Sequence, residues 1–237
     1  MVNAMSLIEV SGVERTYRQG EVEVHALRGV DVTVEGGEFS ALAGPSGSGK
    51  TTLLNMIGGL DSPTAGTVDV NGSRISDMDR SKAADYRLHH IGFIFQAYNL
   101  VPVLSAYENA EFVMMLQGVP KAERRERVVP MLREVGLEGM IDRKPSELSG
   151  GQQQRVAIVR ALASRPKLIL ADEPTANLDS ETSADLLDLM LELNQEYGTT
   201  FLFSSHDELV LERARRVVRL RSGKIESDQR DSDEQVA

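Results

Sequence analysis

One stretch of the chain, residues 43–60 (AGPSGSGKTTLLNMIGGL), limits the possible folds more than any other. Within it, Gly44, Gly49, Lys50 and Thr51 fill the GxxxxGK(S/T) template of a phosphate-binding loop. Such a loop turns several backbone N–H groups toward one point, and its glycines let the main chain approach a phosphate closely. The stretch therefore predicts a site for nucleotide phosphates.

The flanking sequence gives this template the context that it needs. Residues 38–43 (EFSALA) are typical of a short buried strand, and residues 51–57 (TTLLNMI) of a helix that Gly58 and Gly59 end. A helix that begins at the loop adds the positive end of its dipole to the N–H groups. We expect a lysine that reaches the β and γ phosphates and a hydroxyl that binds Mg²⁺. The predicted contacts are Gly44, Pro45, Ser46, Gly47, Ser48, Gly49, Lys50, Thr51 and Thr52.

Composition narrows the class of protein. With 237 residues, 41% of them hydrophobic, the chain can bury a large α/β core, with or without a subdomain. A formal net charge of −10 and a pI near 5.0 argue against a nucleic-acid-binding protein. The absence of cysteine excludes disulfides, cysteine metal sites and a thiol nucleophile.

Membrane association is expected only through a partner. The N-terminus, MVNAMSLIEV, lacks the basic and apolar regions of a signal peptide, and no apolar run approaches the roughly 18 residues of a membrane helix. We expect one domain over residues 1–225, followed by an acidic, disordered tail over residues 226–237 (ESDQRDSDEQVA).

The pattern of strands and helices predicts an α/β fold with two parts. The first third reads as antiparallel, with strands at residues 7–10, 30–34 and 67–70 and a turn region at residues 15–20. Later strands alternate with helices, which is typical of a mainly parallel sheet. These strands are predicted at residues 91–95, 168–171, 200–204 and 217–220, the last of the chain, and the helices at residues 80–90, 152–164 and 182–197.

A mostly helical block interrupts this alternation and is a candidate subdomain over about residues 97–160. Residues 107–135 have a helical pattern in which Pro120 and Pro130 each mark a start or a break. The charged run at residues 124–127 (RRER) is interpreted as a solvated helix face.

Two carboxylates end an apolar strand at residues 168–173 (LILADE). The carboxyl ends of parallel strands face the ligand crevice, so Asp172 and Glu173 are expected near the phosphate loop. Asp172 is predicted to hold Mg²⁺, and Glu173 to accept a proton from the attacking water or to orient that water. The alternative is a pair of helix-capping acids before Pro174.

Two more polar residues end apolar strands in the same way. Gln96 follows IGFIF, and His206 follows FLFSS. Each alone could be a structural polar residue, but together with Lys50 and Glu173 they indicate one catalytic site. His25, His89 and His90 lack this context and are assigned no catalytic or metal role.

Residues 148–152 (LSGGQ), followed by QQRVAIVRAL, resemble the signature motif of ABC-type ATPases. The phosphate loop, Gln96, LSGGQ, LILADE, the NLD of residues 177–179 and His206 occur in that family's order. The resemblance covers about residues 7–225 and implies a P-loop NTPase of the ABC type, with ATP and Mg²⁺ as cofactors.

The resemblance also implies roles for individual residues. Tyr17 would stack on adenine, Thr51 and Gln96 would bind Mg²⁺, Glu173 would be the catalytic base and His206 would contact the γ-phosphate. In the family the signature motif acts on ATP bound to the opposite subunit of a homodimer. The residues expected to act across that interface are Ser149, Gly150, Gly151 and Gln152, with Asp179 as a bridge between subunits.

Further details are similar to the lipoprotein-releasing and macrolide-export group of this family, among them GGLDSPTAG and FIFQAYNLVPVLSAYENA. That similarity implies a peripheral ATPase on the cytoplasmic face of the inner membrane, bound to a permease with a large extracytoplasmic domain. Residues 97–109 would meet a helix of the permease, unless their apolar side chains form an internal core. These side chains are Tyr98, Leu100, Val101, Val103 and Leu104.

Two other functions stay open at this point. One is an ABC ATPase that regulates a membrane complex without transport, for instance in cell division. The other is a soluble ABC ATPase of translation or DNA repair, although such proteins usually carry two cassettes or a long coiled-coil insertion.

Overall fold

The computed structural model describes residues 6–20 and 22–230, which form two sheets and a helical layer. The strands are β1 Ser6–Gln19, β2 Val22–Glu35, β3 Phe39–Ala43, β4 Ala65–Val70, β5 Ser73–Arg74, β6 Ile91–Phe95, β7 Leu168–Asp172, β8 Thr200–Ser205, β9 Arg216–Arg221 and β10 Lys224–Arg230. The helices are α1 Lys50–Ile57, α2 Arg80–His90, α3 Ala106–Leu116, α4 Lys121–Glu134, α5 Gly150–Leu162, α6 Ser180–Tyr197 and α7 Glu208–Arg213.

The two sheets differ in strand direction, as predicted. The first has four antiparallel strands in the order β2-β1-β4-β5. The second has six strands in the order β10-β9-β3-β8-β7-β6, and all its pairings are parallel except that between β9 and β10. The α/β fold with a mainly parallel sheet is therefore confirmed.

The central strands of the larger sheet, β3, β7 and β8, are buried on both faces. Successive residues of a strand point to opposite faces, so in β8 Phe201 and Phe203 pack against the helical layer while Leu202 packs toward the antiparallel sheet. The rings of Phe39 and Phe203 lie 4.6 Å apart between centroids. This continuous packing holds the strand ends in fixed positions.

The opening strands are longer than predicted. β1 runs through most of the region at residues 15–20 that was predicted as a turn, and β2 begins eight residues before the predicted strand. The polar sequence of this hairpin hides its strand character, because the outer parts of both strands are largely exposed and do not show a simple apolar alternation.

The end of the chain also corrects the prediction. Residues 217–220 belong to β9, which is not the last strand, since β10 follows and pairs with it antiparallel. Residues 226–230 are therefore not a disordered tail, and residues 231–237 lie outside the described residues. Arg216 stabilises this strand through an ion pair with Asp228 at 2.7 Å, and the pair lowers the pKa of Asp228.

The helical block confirms one proline prediction and corrects the other. Pro120 immediately precedes α4, but Pro130 lies inside that helix without ending it. Pro130 is exposed, so the carbonyl of residue 126 that loses its N–H partner is on the solvent side of the helix.

The charged run of α4 is only partly a solvated face. Arg124 is half-buried and pairs with Glu111 of α3 at 2.8 Å, and Arg127 donates to the carbonyl of Ala163 at 3.0 Å. Arg125 and Glu126 are exposed as predicted. Within the described residues, no helix is both long enough and apolar enough to cross a membrane.

Replacement of a buried phenylalanine tests the role of the sheet core. Phe203→Ala should lower the free energy of unfolding by about 3–5 kcal/mol, because the side chain is fully buried in β8. Val103→Ala, at a side chain that is 73% exposed, should change it by less than about 0.5 kcal/mol. Urea unfolding followed by circular dichroism measures both, and equal losses would contradict this packing.

Candidate functional site

A cleft of about 530 Å³ lies at the carboxyl ends of the parallel strands. It brings together nine of the site residues that the sequence predicted. Predicted residues that line it are Ser46, Gly47, Gly49, Lys50, Thr51, Thr52, Gln96, Glu173 and His206, and they are joined by Val24, His25, Ala26 and Ala176.

The phosphate loop has a backbone that needs its glycines. Gly44 and Gly49 have φ angles of 144° and 107°, in the region that side-chain-bearing residues rarely adopt. A Cβ on Gly44 would lie 2.2 Å from the carbonyl oxygen of Leu220, and one on Gly49 would lie 2.7 Å from that of Ala26. The loop therefore fits tightly between β9 and the antiparallel sheet.

Lys50 begins helix α1 and bends back across the loop. Its Nζ donates to the carbonyl oxygens of Gly44 at 2.8 Å and Pro45 at 3.2 Å, and the residue is buried. The ammonium group, the loop N–H groups and the start of α1 together create a compact positive region that suits phosphate.

Asp172, the last residue of β7, lies beside the start of α1. The hydroxyl of Thr51 donates to the Asp172 carboxylate at 3.0 Å, which joins the loop to the strand end as predicted. No cluster of three or more His, Cys, Asp or Glu side chains in the described parts of the chain could hold a metal ion unaided. A hydroxyl and one carboxylate suit Mg²⁺ that takes its other ligands from phosphate and water.

Glu173 follows β7 in a left-handed conformation, with φ 46°, that is uncommon for this residue type. Its N–H donates to the carbonyl of Ser204 at 2.8 Å, and its carboxylate accepts a hydrogen bond from the Ser205 hydroxyl at 3.1 Å. The Nδ1 of His206 lies 2.8 Å from the same carboxylate. The end of β8 thus fixes the position of Glu173, and Ser205 is a contributor that the sequence patterns did not indicate.

Gln96 leaves the end of β6 and lines the same cleft. Its carbonyl accepts a hydrogen bond from the side chain of Asn177 at 2.8 Å. This contact ties the segment after β6 to the segment between β7 and α6, so the predicted juxtaposition of Gln96 with Glu173 is present.

The signature residues lie elsewhere on the surface. Ser149 caps helix α5, where its hydroxyl accepts from the N–H of Gln152 at 3.3 Å while the Gln152 side chain accepts from the N–H of Ser149 at 2.9 Å. Neither lines the cleft. Asp179 caps α6 through its own side chain alone, which accepts a hydrogen bond from the Thr182 N–H, and this bond lowers the pKa of Asp179.

These two helix starts lie side by side. A Cβ on Gly151 would lie 2.6 Å from the methyl group of Thr182, so only glycine lets α5 approach α6 this closely. Two helix N-termini with exposed caps therefore form one surface, separate from the cleft of the same chain.

Tyr17 is placed on the long strand β1 but does not line the cleft. Its hydroxyl donates to Asp61 at 2.7 Å, and the guanidinium of Arg15 covers one face of the ring at 4.5 Å from its centroid. Adenine stacking on Tyr17 stays a prediction, and Arg15 already covers one face of the ring.

Sequence patterns missed the contribution of the β1–β2 hairpin. His25, which was assigned no role, lines the cleft with Val24 and Ala26, and its Nδ1 lies 2.9 Å from the hydroxyl of Thr16. Its position depends on the hairpin register, which pairs Thr16 with His25 and Tyr17 with Val24 and which no sequence pattern indicates.

A second concavity, an apolar groove of about 380 Å³, lies between the parallel sheet and the helical layer. Its lining includes Leu60, Phe93, Phe112, Leu116 and Arg160. Of the segment predicted to meet a permease, Asn99 reaches this groove, whereas Leu100 packs on the core and Val103 is exposed.

Comparisons with known proteins identify relatives of this chain. The family described as ABC transporter matches residues 27–176, more than half of the chain. The macrolide export ATP-binding/permease protein MacB of Hyphomonas neptunium is 48% identical over 94% of this chain, and the chain spans 34% of that relative. A second MacB, of Syntrophobacter fumaroxidans, is likewise spanned to only 32%.

Two further proteins match along nearly their whole length. The lipoprotein-releasing system ATP-binding protein LolD 1 of Caulobacter vibrioides is 45% identical, with 95% of this chain and 97% of the relative covered. The structure of the ATP-binding cassette MJ0796, a dimer in a post-hydrolysis state bound to ADP and Pi, is 41% identical with a TM-score of 0.86, covering 94% of this chain and 98% of that one.

A glycine substitution tests the geometry of the phosphate loop. Gly49→Ala should cost about 1–3 kcal/mol of stability and abolish binding of tripolyphosphate, because the methyl group meets Ala26 and the φ angle is strained. Gly36→Ala, at an exposed turn with open space around it, is the matched control and should leave both unchanged. Thermal unfolding and calorimetry measure the two quantities, and normal phosphate binding by Gly49→Ala would show that the loop is not the site.

Proposed function

The chain belongs to the ABC transporter family, and on this premise we propose that it binds and hydrolyses ATP as the energy-coupling subunit of a membrane transporter. The observation that carries the proposal is the convergence of Lys50, Thr51, Gln96, Glu173 and His206 on one cleft. Four separate segments supply these side chains, so the cleft joins phosphate binding to groups that can act on water.

ATP binding follows from the loop and its helix. The N–H groups of the loop and the start of α1 hold the phosphates, and Lys50 exchanges its contacts with Gly44 and Pro45 for the β and γ phosphates. Adenine lies toward the β1–β2 hairpin, where Tyr17 offers an aromatic ring for stacking and His25 lines the cleft.

Magnesium fits the oxygen donors at the edge of this cleft. Thr51 and Asp172, already in contact at 3.0 Å, would hold the ion together with Gln96 and the phosphates. When bound, Mg²⁺ neutralises charge that develops on the transferred phosphoryl group.

Hydrolysis depends on Glu173. Hydrogen bonds from Ser205 and the His206 contact orient its carboxylate toward the cleft, where it accepts a proton from, or aligns, the attacking water. His206, whose side chain is 70% exposed, is free to turn from Glu173 to the γ-phosphate when ATP binds.

A second copy of the chain completes the site. The caps of α5 and α6 face outward, apart from the cleft, so Ser149, Gly150 and Gly151 act on ATP held by the other subunit, and Asp179 bridges the interface. A nucleotide between the starts of α1 and α5 is held by two helix dipoles, which makes ATP the link between the subunits.

The membrane partner is a permease, with a large extracytoplasmic domain as in the group that the sequence resembles. The apolar groove beside Leu60 and Leu116, which are 47% and 55% exposed, offers an amphipathic helix of that permease an apolar face to cover. We propose that the chain binds the cytoplasmic face of the membrane through this partner. Macrolides and lipoproteins, which the names of two relatives mention, are the candidate substrate classes.

Replacement of the proposed base tests the mechanism. Glu173→Gln should lower kcat about a hundredfold or more while the Kd for Mg-ATP changes by less than about threefold, since the amide keeps the shape but cannot take a proton. Glu208→Gln, an exposed carboxylate two residues from His206, is the control. Phosphate release and calorimetry measure both constants, and near-normal hydrolysis by Glu173→Gln would exclude it as the base.

A charge in the groove tests the permease contact. Leu116→Glu should abolish copurification of the chain with its membrane partner but leave its ATP affinity unchanged, because the groove is separate from the cleft. Val22→Glu introduces the same charge at a side chain that is 63% exposed outside the groove. Loss of copurification with Val22→Glu but not with Leu116→Glu would indicate that the permease binds the β1–β2 hairpin and not the groove.

A further inference from the structure

The segment that follows β6 has a conformation that its own sequence does not favour. Tyr98 and Asn99 both have positive φ angles, 56° and 51°. Asparagine tolerates this region, but tyrosine does so rarely, and two such residues in succession persist only where the surroundings hold them. Contacts from other parts of the chain therefore hold this segment in place.

One residue of helix α5 bonds to both strained residues. Arg160 donates through Nη1 to the carbonyl of Asn99 at 2.6 Å and through Nη2 to the carbonyl of Tyr98 at 2.8 Å. Burial lowers the pKa of Arg160. A planar fork suits two adjacent carbonyls, which a lysine ammonium cannot match.

The same segment touches α5 again near its start. The hydroxyl of Tyr98 lies 2.8 Å from the position that a Cβ on Gly150 would take. Gly150 and Arg160 are ten residues apart, or about 15 Å along the helix axis. The segment after β6 is therefore hydrogen-bonded to α5 near the end of that helix and lies close to its start.

Through these contacts the segment after β6 lies next to three parts of the molecule: the cleft, the apolar groove and the start of α5. Gln96, two residues before Tyr98, lines the cleft; Asn99 and Arg160 line the apolar groove; and Gly150 lies beside the Ser149 cap of α5. Arg160 itself does not line the cleft, so any effect that it has on the reaction passes through the segment that it holds.

We propose that Arg160 is a positioning residue that clamps residues 96–99 to helix α5, so that Gln96 and the start of α5 keep a fixed relation and move together. The proposal rests on the proposed ATPase function for its consequence in catalysis. A change in the groove would then reach the cleft and the outward-facing end of α5 through one rigid unit.

Amide hydrogen exchange of the full chain without nucleotide tests the clamp directly. In Arg160→Lys, the amides of Tyr98 and Asn99 should exchange about tenfold faster, because local opening no longer breaks two guanidinium bonds. Amides of the phosphate loop should keep their wild-type rates. Arg160→Gln, which can donate to only one carbonyl, should give the same pattern and serves if the lysine variant does not fold.

Steady-state hydrolysis of Mg-ATP tests the consequence. Arg160→Lys should lower kcat about tenfold and leave KM for ATP within about twofold, since Gln96 loses its placement while the phosphate loop is untouched. A residue that only stabilised the fold would not separate the two constants. If the wild-type chain hydrolyses no ATP, the proposed function fails, and the exchange measurement alone decides on the clamp.

Arg155 provides a matched control on the same helix. It also donates from a guanidinium to a backbone carbonyl, that of Val135 at 3.0 Å, but does not touch the segment after β6. Arg155→Lys should leave exchange at Tyr98 and Asn99, and kcat, at wild-type values. Unchanged exchange in Arg160→Lys, or equal effects of both substitutions, would overturn the proposal.

Discussion

The in-register ends of four parallel strands determine where the chemistry of this protein lies. Phe95 of β6 pairs with Asp172 of β7, Asp172 with Ser204 of β8, and Ala43 of β3 with Ser205. The residue that follows each strand end therefore emerges at the same edge of the sheet. Because both faces of the sheet are packed, none of these strands can shift without exposing apolar side chains.

This constraint explains why much of the site could be predicted from the sequence. A short apolar run followed by polar residues predicts a parallel strand with functional side chains at its carboxyl end. Gln96, Glu173 and His206 were all predicted in this way. The phosphate loop could also be predicted from the sequence, because its template specifies both the glycines and the start of the helix.

The features that could not be predicted from the sequence depend on contacts between distant segments. Ser205 becomes a partner of Glu173 only because β7 and β8 are adjacent, and His25 reaches the cleft only through a hairpin whose exposed strands lack a clear alternation. The strand β10 was missed for a related reason. Its polar residues cover no core, and ion pairs such as that of Arg216 with Asp228 stabilise it instead.

The N-terminal caps of α5 and α6 do not line the cleft of their own chain. Ser149 and Asp179 each satisfy the first N–H groups of their own helix and remain on an exposed surface. A monomer therefore presents a phosphate cleft and a separate pair of helix starts. Two copies arranged head to tail would bring each pair to the other's cleft, and this explains why the two features occur on one chain without meeting.

Mixing two inactive variants tests this exchange of sites most directly. Lys50→Met removes the phosphate contact of one chain, and Ser149→Phe blocks the helix start of the other. If each nucleotide lies between two chains, a mixed dimer contains one intact site, and ATP hydrolysis should reappear on mixing in proportion to the mixed dimers formed. If hydrolysis stays absent while mixed dimers are present, each chain uses its own helix start, which would contradict the head-to-tail arrangement.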